Sequence, residues 1–311
     1  GRKTKEETAA WPFAWMPPSP DYPSAEGRGT ATGRFRITDS AKPGLTSANG
    51  WIGLSQPDQG GNWQFESKHY QYWSRIAADG GFTIPHVRPG NYTLSAFADG
   101  AFGEFEKTGV GIKAGATTDL SDITWNIPRD RGKLVWEIGV PNRSASEFRH
   151  GDDYFQGYLW KTFGKEFTNP LEYTIGSSRP EKDWNYAQSS YPTDAGKVEP
   201  WKWRIHFELD EAPQADATLT IGLASADRAR VEIYSNDESK PVHVLDPKVQ
   251  GGNALLREGI HAKYSFYRIS VPGKSLRKGK NTLALVQSRT YSPSFHVMYD
   301  ALTLESPQSR R

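Results

Sequence analysis

Ten consecutive residues, Trp201 to Asp210, alternate between large apolar and polar or charged side chains without a break. Trp201, Trp203, Ile205, Phe207 and Leu209 share one face, and Lys202, Arg204, His206, Glu208 and Asp210 share the other. Successive side chains of a strand point to opposite faces, so this period of two predicts a strand with one face in a core and the other in water. A helix would spread the five apolar residues around its circumference.

The same grammar runs through most of the chain. TATGRFRITD, GWIGLSQP, FTIPHV, NYTLSAFADG and GVGIKAG read as short strands in the first part. ATLTIGLAS, RVEIYSN, YRISVPG, NTLALVQSR and HVMYDALTLE follow the long alternating run. Gly, Pro, Asp and Asn stand between them, as turn chemistry requires. In the first part, Asp79-Gly80-Gly81 and Pro89-Gly90-Asn91 are turns that leave Phe82, Ile84, Tyr92, Leu94 and Ala96 for a core. Thirty Gly and 21 Pro against two Met argue for many short strands rather than long helices. The expected class is all-β, as two antiparallel β-sandwiches.

Four stretches are expected. Residues 1–26 hold a helix fragment, KTKEETAAW, with a Thr4–Glu7 capping box, and then the Pro-rich WPFAWMPPSPDYP. Five prolines exclude a central strand or helix there, and Trp11, Phe13, Trp15 and Tyr22 predict a strap docked on its neighbour. Residues 27–131 are a small sandwich, with NIPRDRGK breaking the pattern at its end. Residues 132–307 are a larger one with the strand number of a jelly roll. Residues 308–311 are a tail. The chain opens at Gly1 with neither an initiator Met nor an apolar signal segment, as expected of a processed product or an internal piece.

Charge and cysteine usage exclude several functions. Thirty-eight basic and 36 acidic side chains give a net charge of +2, with no basic stripe to meet nucleic acid or a membrane surface. No cysteine is present, which removes disulfides, thiol catalysis and cysteine metal sites. GRGT at 27–30 and GVGIKAG at 109–115 lack the strand–loop–helix context and the Lys-Ser/Thr ending of a phosphate loop. His69, His86, His150, His206, His243, His261 and His296 form no close pair at metal-ligand or triad spacing, and read as isolated imidazoles.

Several segments are similar to one known family. TATGRFRITD together with WSRIAADGGFTIPHVRPGNYTLSAFADGAFGEF resembles the fibronectin type III-like middle domain of the rhamnogalacturonan lyases of polysaccharide lyase family 4. VWEIGVPNRSASEF, LEYTIGSSRPEKDWNYAQ, LLREGIHAKY and VQSRTYSPSFHVMYDALTLE resemble that family's third, carbohydrate-binding-module-like domain. The Pro-rich run resembles the strap that leaves its catalytic domain. The resemblance implies a parent enzyme that is secreted and cleaves pectic rhamnogalacturonan by β-elimination, in which a base removes a proton α to a uronate carboxylate. It places the catalytic lysine and histidine in a preceding domain that has no counterpart here, so no catalytic residue is expected in this chain. The implied partners are pectic polysaccharide and the N-terminal catalytic domain of the same protein.

Candidate contacts with sugar follow from side-chain chemistry. Trp and Tyr offer flat apolar faces to sugar rings, and an Arg fork matches a uronate carboxylate. In DWNYAQSSYP, Trp184 or Tyr186 is a stacking platform, with Asn185 and Gln188 on hydroxyls; the competing reading folds those rings into the core or against another domain. Trp160, His261 and Arg289 complete the candidates, each also open to a purely structural reading. Asp300 and Glu137, in the last and first strands of the second sandwich, are expected ligands of a structural Ca²⁺, and no cofactor is required. Three functions stay open: a sugar-binding accessory half of a lyase, a pair of buttress domains, and a self-sufficient enzyme with an unrecognised site.

Overall fold

The computed structural model describes residues 2–56, 62–66, 70–129, 132–153, 161–192, 196–251, 262–289, 291–292 and 294–307. The chain divides into two compact units, Gly1–Pro128 and Arg129–Arg311. The first holds β1 (Gly29–Thr38), β2 (Trp51–Ser55), β3 (Tyr72–Arg75), β4 (Gly81–Val87), β5 (Gly90–Phe97), β6 (Phe105–Ile112) and β7 (Thr117–Asn126). They form two sheets, in the orders β4-β1-β7 and β3-β2-β5-β6. The expected inward residues Phe82, Ile84, Tyr92, Leu94 and Ala96 are all buried between them, with Phe35, Ile52 and Leu54.

The second unit contributes β8 (Gly132–Gly139), β9 (Leu171–Thr174), β10 (Ala187–Gln188), β11 (Ser190–Pro192), β12 (Val198–Leu209) and β13 (Ala217–Asp227). It continues with β14 (Val231–Ser235), β15 (His243–Leu245), β16 (Ser265–Val271), β17 (Gly279–Gln287) and β18 (His296–Pro307). One sheet runs β10-β18-β13-β16 with β8 also on β18; the other runs β11-β12-β17-β14-β15 with β9 also on β12. Trp201, Trp203, Ile205, Phe207 and Leu209 of β12 are all buried, as the alternation predicts. Their polar neighbours form a bonded row outside: Arg204 and Lys202 both pair with Glu238, Arg204 also pairs with Glu172, and His206 hydrogen-bonds to Glu172. Bonding to Arg204, reinforced by Lys202, holds Glu238 down at about 2. The unit opens on an ion pair, Arg129 to Glu305 of β18 at 2.6 Å, both side chains being almost wholly buried.

Three details depart from the sequence expectation. Each unit contains a parallel pair, β1 with β7 and β9 with β12. The members of each pair are far apart in sequence, so no tight hairpin forces them antiparallel. The N-terminal helix spans Arg2–Ala9, which puts Thr4 inside it rather than at its N-cap. The strap docks through some of its rings only. Trp11 and Tyr22 flank the buried Arg28 guanidinium at 4.6 and 5.0 Å, and Arg28 donates to the carbonyls of Pro23 and His86. Trp15, stacked on Phe13, faces solvent. No helix among the described residues is long and apolar enough to cross a membrane.

Candidate carbohydrate-binding site

The structure moves the expected platform into the core. Trp184 has no exposed surface and Tyr186 almost none. Trp184 meets Trp203 at 4.7 Å and Tyr173 and Tyr299 at 5.5 Å, all edge-on, at the centre of the second sandwich. Tyr186 packs against Phe163. Their polar neighbours serve the backbone. Asn185 donates to the Ala187 carbonyl, and Gln188 donates to the carbonyls of Trp201 and Leu285 while accepting from the Tyr299 hydroxyl. Pairing of β10 with β18 builds this segment into the sheet, which is why it cannot present a ring to a sugar. Trp160 and His261 lie outside the described residues.

Arg289 does reach the surface, at an edge built by the ends of β13, β14, β17 and β18. The organiser is Gln287, wholly buried at the end of β17. Its Oε1 accepts from the amides of Arg230 and Arg289, and its Nε2 donates to the carbonyls of Arg289 and Phe295. A single buried amide thus fixes both loops, and substituting it would leave four backbone groups seeking partners. Outside it, Arg289 donates to Asp246 at 3.1 Å and to the Arg228 carbonyl at 3.1 Å. Arg230 lies 3.8 Å from the other oxygen of Asp246. Arg228 pairs with Asp227 and covers the Phe295 ring at 4.4 Å. Beside Phe295, 6.2 Å between centroids, stands Tyr291, 88% exposed.

The arrangement offers three half-exposed guanidinium groups and one protruding aromatic ring on a rigid base. A planar ring stacks on a sugar, and Arg289 has N–H donors beyond the two bonds it makes, enough to fork onto a uronate. The charged and aromatic composition of QSRTYSPSFH already marked this loop, but not which ring would be free. Arg228, Arg230 and Asp246 were missed, because the β13–β14 connection and the end of β15 meet the 287–295 segment only in the folded sheet.

The two expected cation ligands are arranged otherwise. Asp300 Oδ1 accepts from the amides of Asn142 and Arg143 at 2.8 and 2.7 Å, which ties the 139–147 loop to β18. Its Oδ2 is buried without a hydrogen-bond partner, and burial, with the Glu147 charge adding to it, pushes the carboxyl up to about 7. Glu137 stands on β8 opposite Thr303 and lines a shallow depression with Glu147 and Glu181. Among the described residues, no group of three or more His, Asp or Glu converges to hold a metal ion. At the start of β18, four residues before Asp300, His296 is wholly buried; its Nδ1 donates to the Ser294 carbonyl at 2.6 Å, and burial lowers its pKa to about 4.

Two β-sandwiches, the second carrying an arginine- and tyrosine-bearing edge, define an all-β, multi-sheet protein. The family model described as polysaccharide lyase family 4, domain III, CBM-like, matches residues 134–304, and that of domain II matches residues 46–120. The chain belongs to polysaccharide lyase family 4, of which it carries these two domains. It is 32% identical over 287 residues to the "Probable rhamnogalacturonate lyase B" of Aspergillus flavus, covering 77% of this chain and 42% of that protein. To the "Rhamnogalacturonate lyase" of Dickeya dadantii it is 31% identical over 323 residues, covering 99% and 48%. The chain therefore spans less than half the length of each relative. Among solved structures, the family 35 carbohydrate-binding module of Cellvibrio japonicus Abf62 aligns with 17% identity and a TM-score of 0.24, over 47% of this chain and 87% of that one.

Proposed function

We propose that this chain is the accessory part of a secreted rhamnogalacturonan lyase, and that it holds the pectic polysaccharide while a catalytic domain elsewhere in the protein cleaves it. The observation that carries the reading is the edge of the second sandwich. Tyr291 projects there beside Arg289, giving a flat face for a neutral sugar and a cation for a uronate. Membership of a lyase family supports the substrate class, and the chain's span of under half its relatives' length supports a separate catalytic domain. Replacing Tyr291 with alanine should weaken binding of rhamnogalacturonan oligosaccharides by roughly 1–3 kcal/mol, the loss of an anchoring ring. Arg289→Ala should weaken it too and flatten its dependence on salt. Calorimetric titration of both variants at two ionic strengths is the check, with unchanged affinity in both as the outcome that defeats the assignment.

A second reading is favoured by the burial of Trp184, Asn185, Tyr186 and Gln188. A signature segment given over entirely to the core suits domains that buttress a catalytic partner and touch no sugar. The same titration separates the two, since a buttress shows no binding with wild-type chain.

A further inference from the structure

The first unit contains a cleft of about 500 Å³ between the strap and the sandwich edge at β3 and β4. That volume suits a sugar residue or two. Trp11 and Tyr22 of the strap line it together with Tyr70, Trp73 and His86. Trp73 is held flat by Gly53 beneath it, where a Cβ would come within 2.2 Å of the indole.

The position of His86 is what marks the cleft as more than a packing gap. β1 pairs Gly29 with Val87 and then Ala31 with Ile84, so Pro85 and His86 stand opposite Thr30 alone. This is a β-bulge, a feature that re-aims a side chain. His86 takes φ 58°, a left-handed conformation that a non-glycine residue adopts at a cost. Its carbonyl accepts from Arg28, and its ring meets the Trp11 ring edge-on at 5.9 Å. Neither ring nitrogen has a hydrogen-bond partner among the described residues. Asp21 also lines the cleft; its Oδ1 accepts from the Tyr70 hydroxyl at 2.6 Å and from Arg88 at 3.1 Å, while its Oδ2 has no hydrogen-bond partner among the described residues.

We infer that this cleft is a second carbohydrate site, and that it takes a neutral pyranose. The rings supply the apolar faces on which a pyranose stacks, and the His86 imidazole and Asp21 Oδ2 supply a donor–acceptor pair for adjacent hydroxyls. The cation in the wall, Arg28, is buried between Trp11 and Tyr22 and already bonded, and the Asp21 carboxylate is paired with Arg88, so the cleft offers no uncompensated cation to hold a uronate. The inference rests on the carbohydrate-binding reading of the chain in taking the ligand to be a sugar.

The test uses the whole chain labelled with ¹⁵N-histidine, titrated with a neutral galactotetraose and, separately, with tetragalacturonate. Galactotetraose should shift the His86 ring signals, and His86→Gly should weaken its binding about tenfold, the loss of one or two hydrogen bonds. Glycine suits the left-handed position, so this variant keeps the bulge. Trp11→Ala, which removes a lining ring while leaving the backbone pairing of the bulge in place, should weaken binding as well. No shift at His86, equal affinity in the two variants and wild type, or tighter binding of tetragalacturonate through His86 would each overturn the cleft. If the cleft fails while Tyr291→Ala still weakens rhamnogalacturonan binding, the fault lies in this inference alone; if both fail, the sugar-binding reading of the chain falls with it.

Discussion

Replacing Trp184 by alanine is expected to destabilise the second unit by roughly 3–5 kcal/mol, the usual cost of removing a buried indole. The ring sits where both sheets meet, edge-on to Trp203 of β12 and Tyr299 of β18. Its removal opens a cavity that Tyr173 and Phe148 border from further elements. Neighbouring Gln188 joins β10, β12, β17 and β18 through three hydrogen bonds, so the site has little freedom to collapse. Urea unfolding followed by near-ultraviolet circular dichroism reads the loss directly. A variant of wild-type stability that had lost only sugar binding would restore Trp184 as a stacking platform and contradict its placement in the core.

The second large effect is a hidden pH dependence. Burial raises Asp300 to about 7, so the folded state keeps a proton that the unfolded chain releases near the ordinary carboxyl value. The resulting stability is fully present below about pH 4 and is lost as pH rises through 7. Burial lowers His296 to about 4, so the unfolded chain takes up a proton that the folded state refuses. That contribution is complete above about pH 6.5 and is lost as pH falls through 4. The two slopes oppose each other between pH 4 and 6.5 and largely cancel in the wild type. Asp300→Asn keeps the acceptor for the Asn142 and Arg143 amides and removes the titration. It should expose the histidine slope, with stability falling on acidification by up to about 3 kcal/mol. His296→Gln should expose the opposite slope, with stability falling by up to about 4 kcal/mol as pH rises from 4 to 7. Urea midpoints across this range decide the matter; parallel pH profiles in the wild type and both variants would exclude these groups.

The strands were legible wherever one face is buried and the other wet, because the period of two is then written in adjacent residues. β12 is the clearest case, and Phe82, Ile84, Tyr92, Leu94 and Ala96 follow the same rule. The parallel pairing of β1 with β7 was not legible, because nothing local to either strand names its partner. The choice between the two readings of DWNYAQ was not legible for a similar reason. DWNYAQ is rich in aromatic and amide groups whether it faces solvent or core, and its fate is set by Trp203, Trp201, Leu285 and Tyr299, residues well away in sequence. Tyr291 is exposed because it sits between turn-forming residues outside the sheet, a position that composition alone does not separate from its neighbour Phe295, half covered by Arg228. Arg289 was legible as a charged loop residue, while its assembly with Arg228, Arg230 and Asp246 required the topology.

On the function proposed above, this chain holds rhamnogalacturonan without cleaving it. Affinity electrophoresis of the whole chain through gels containing rhamnogalacturonan, with the same preparation incubated on the polymer and monitored for the absorbance of a new carbon–carbon double bond, tests both halves together. Retardation should grow with polymer concentration, be reduced in Tyr291→Ala, and be accompanied by no unsaturated product. Migration unaffected by the polymer, or unsaturated product from a preparation free of other lyases, would contradict it.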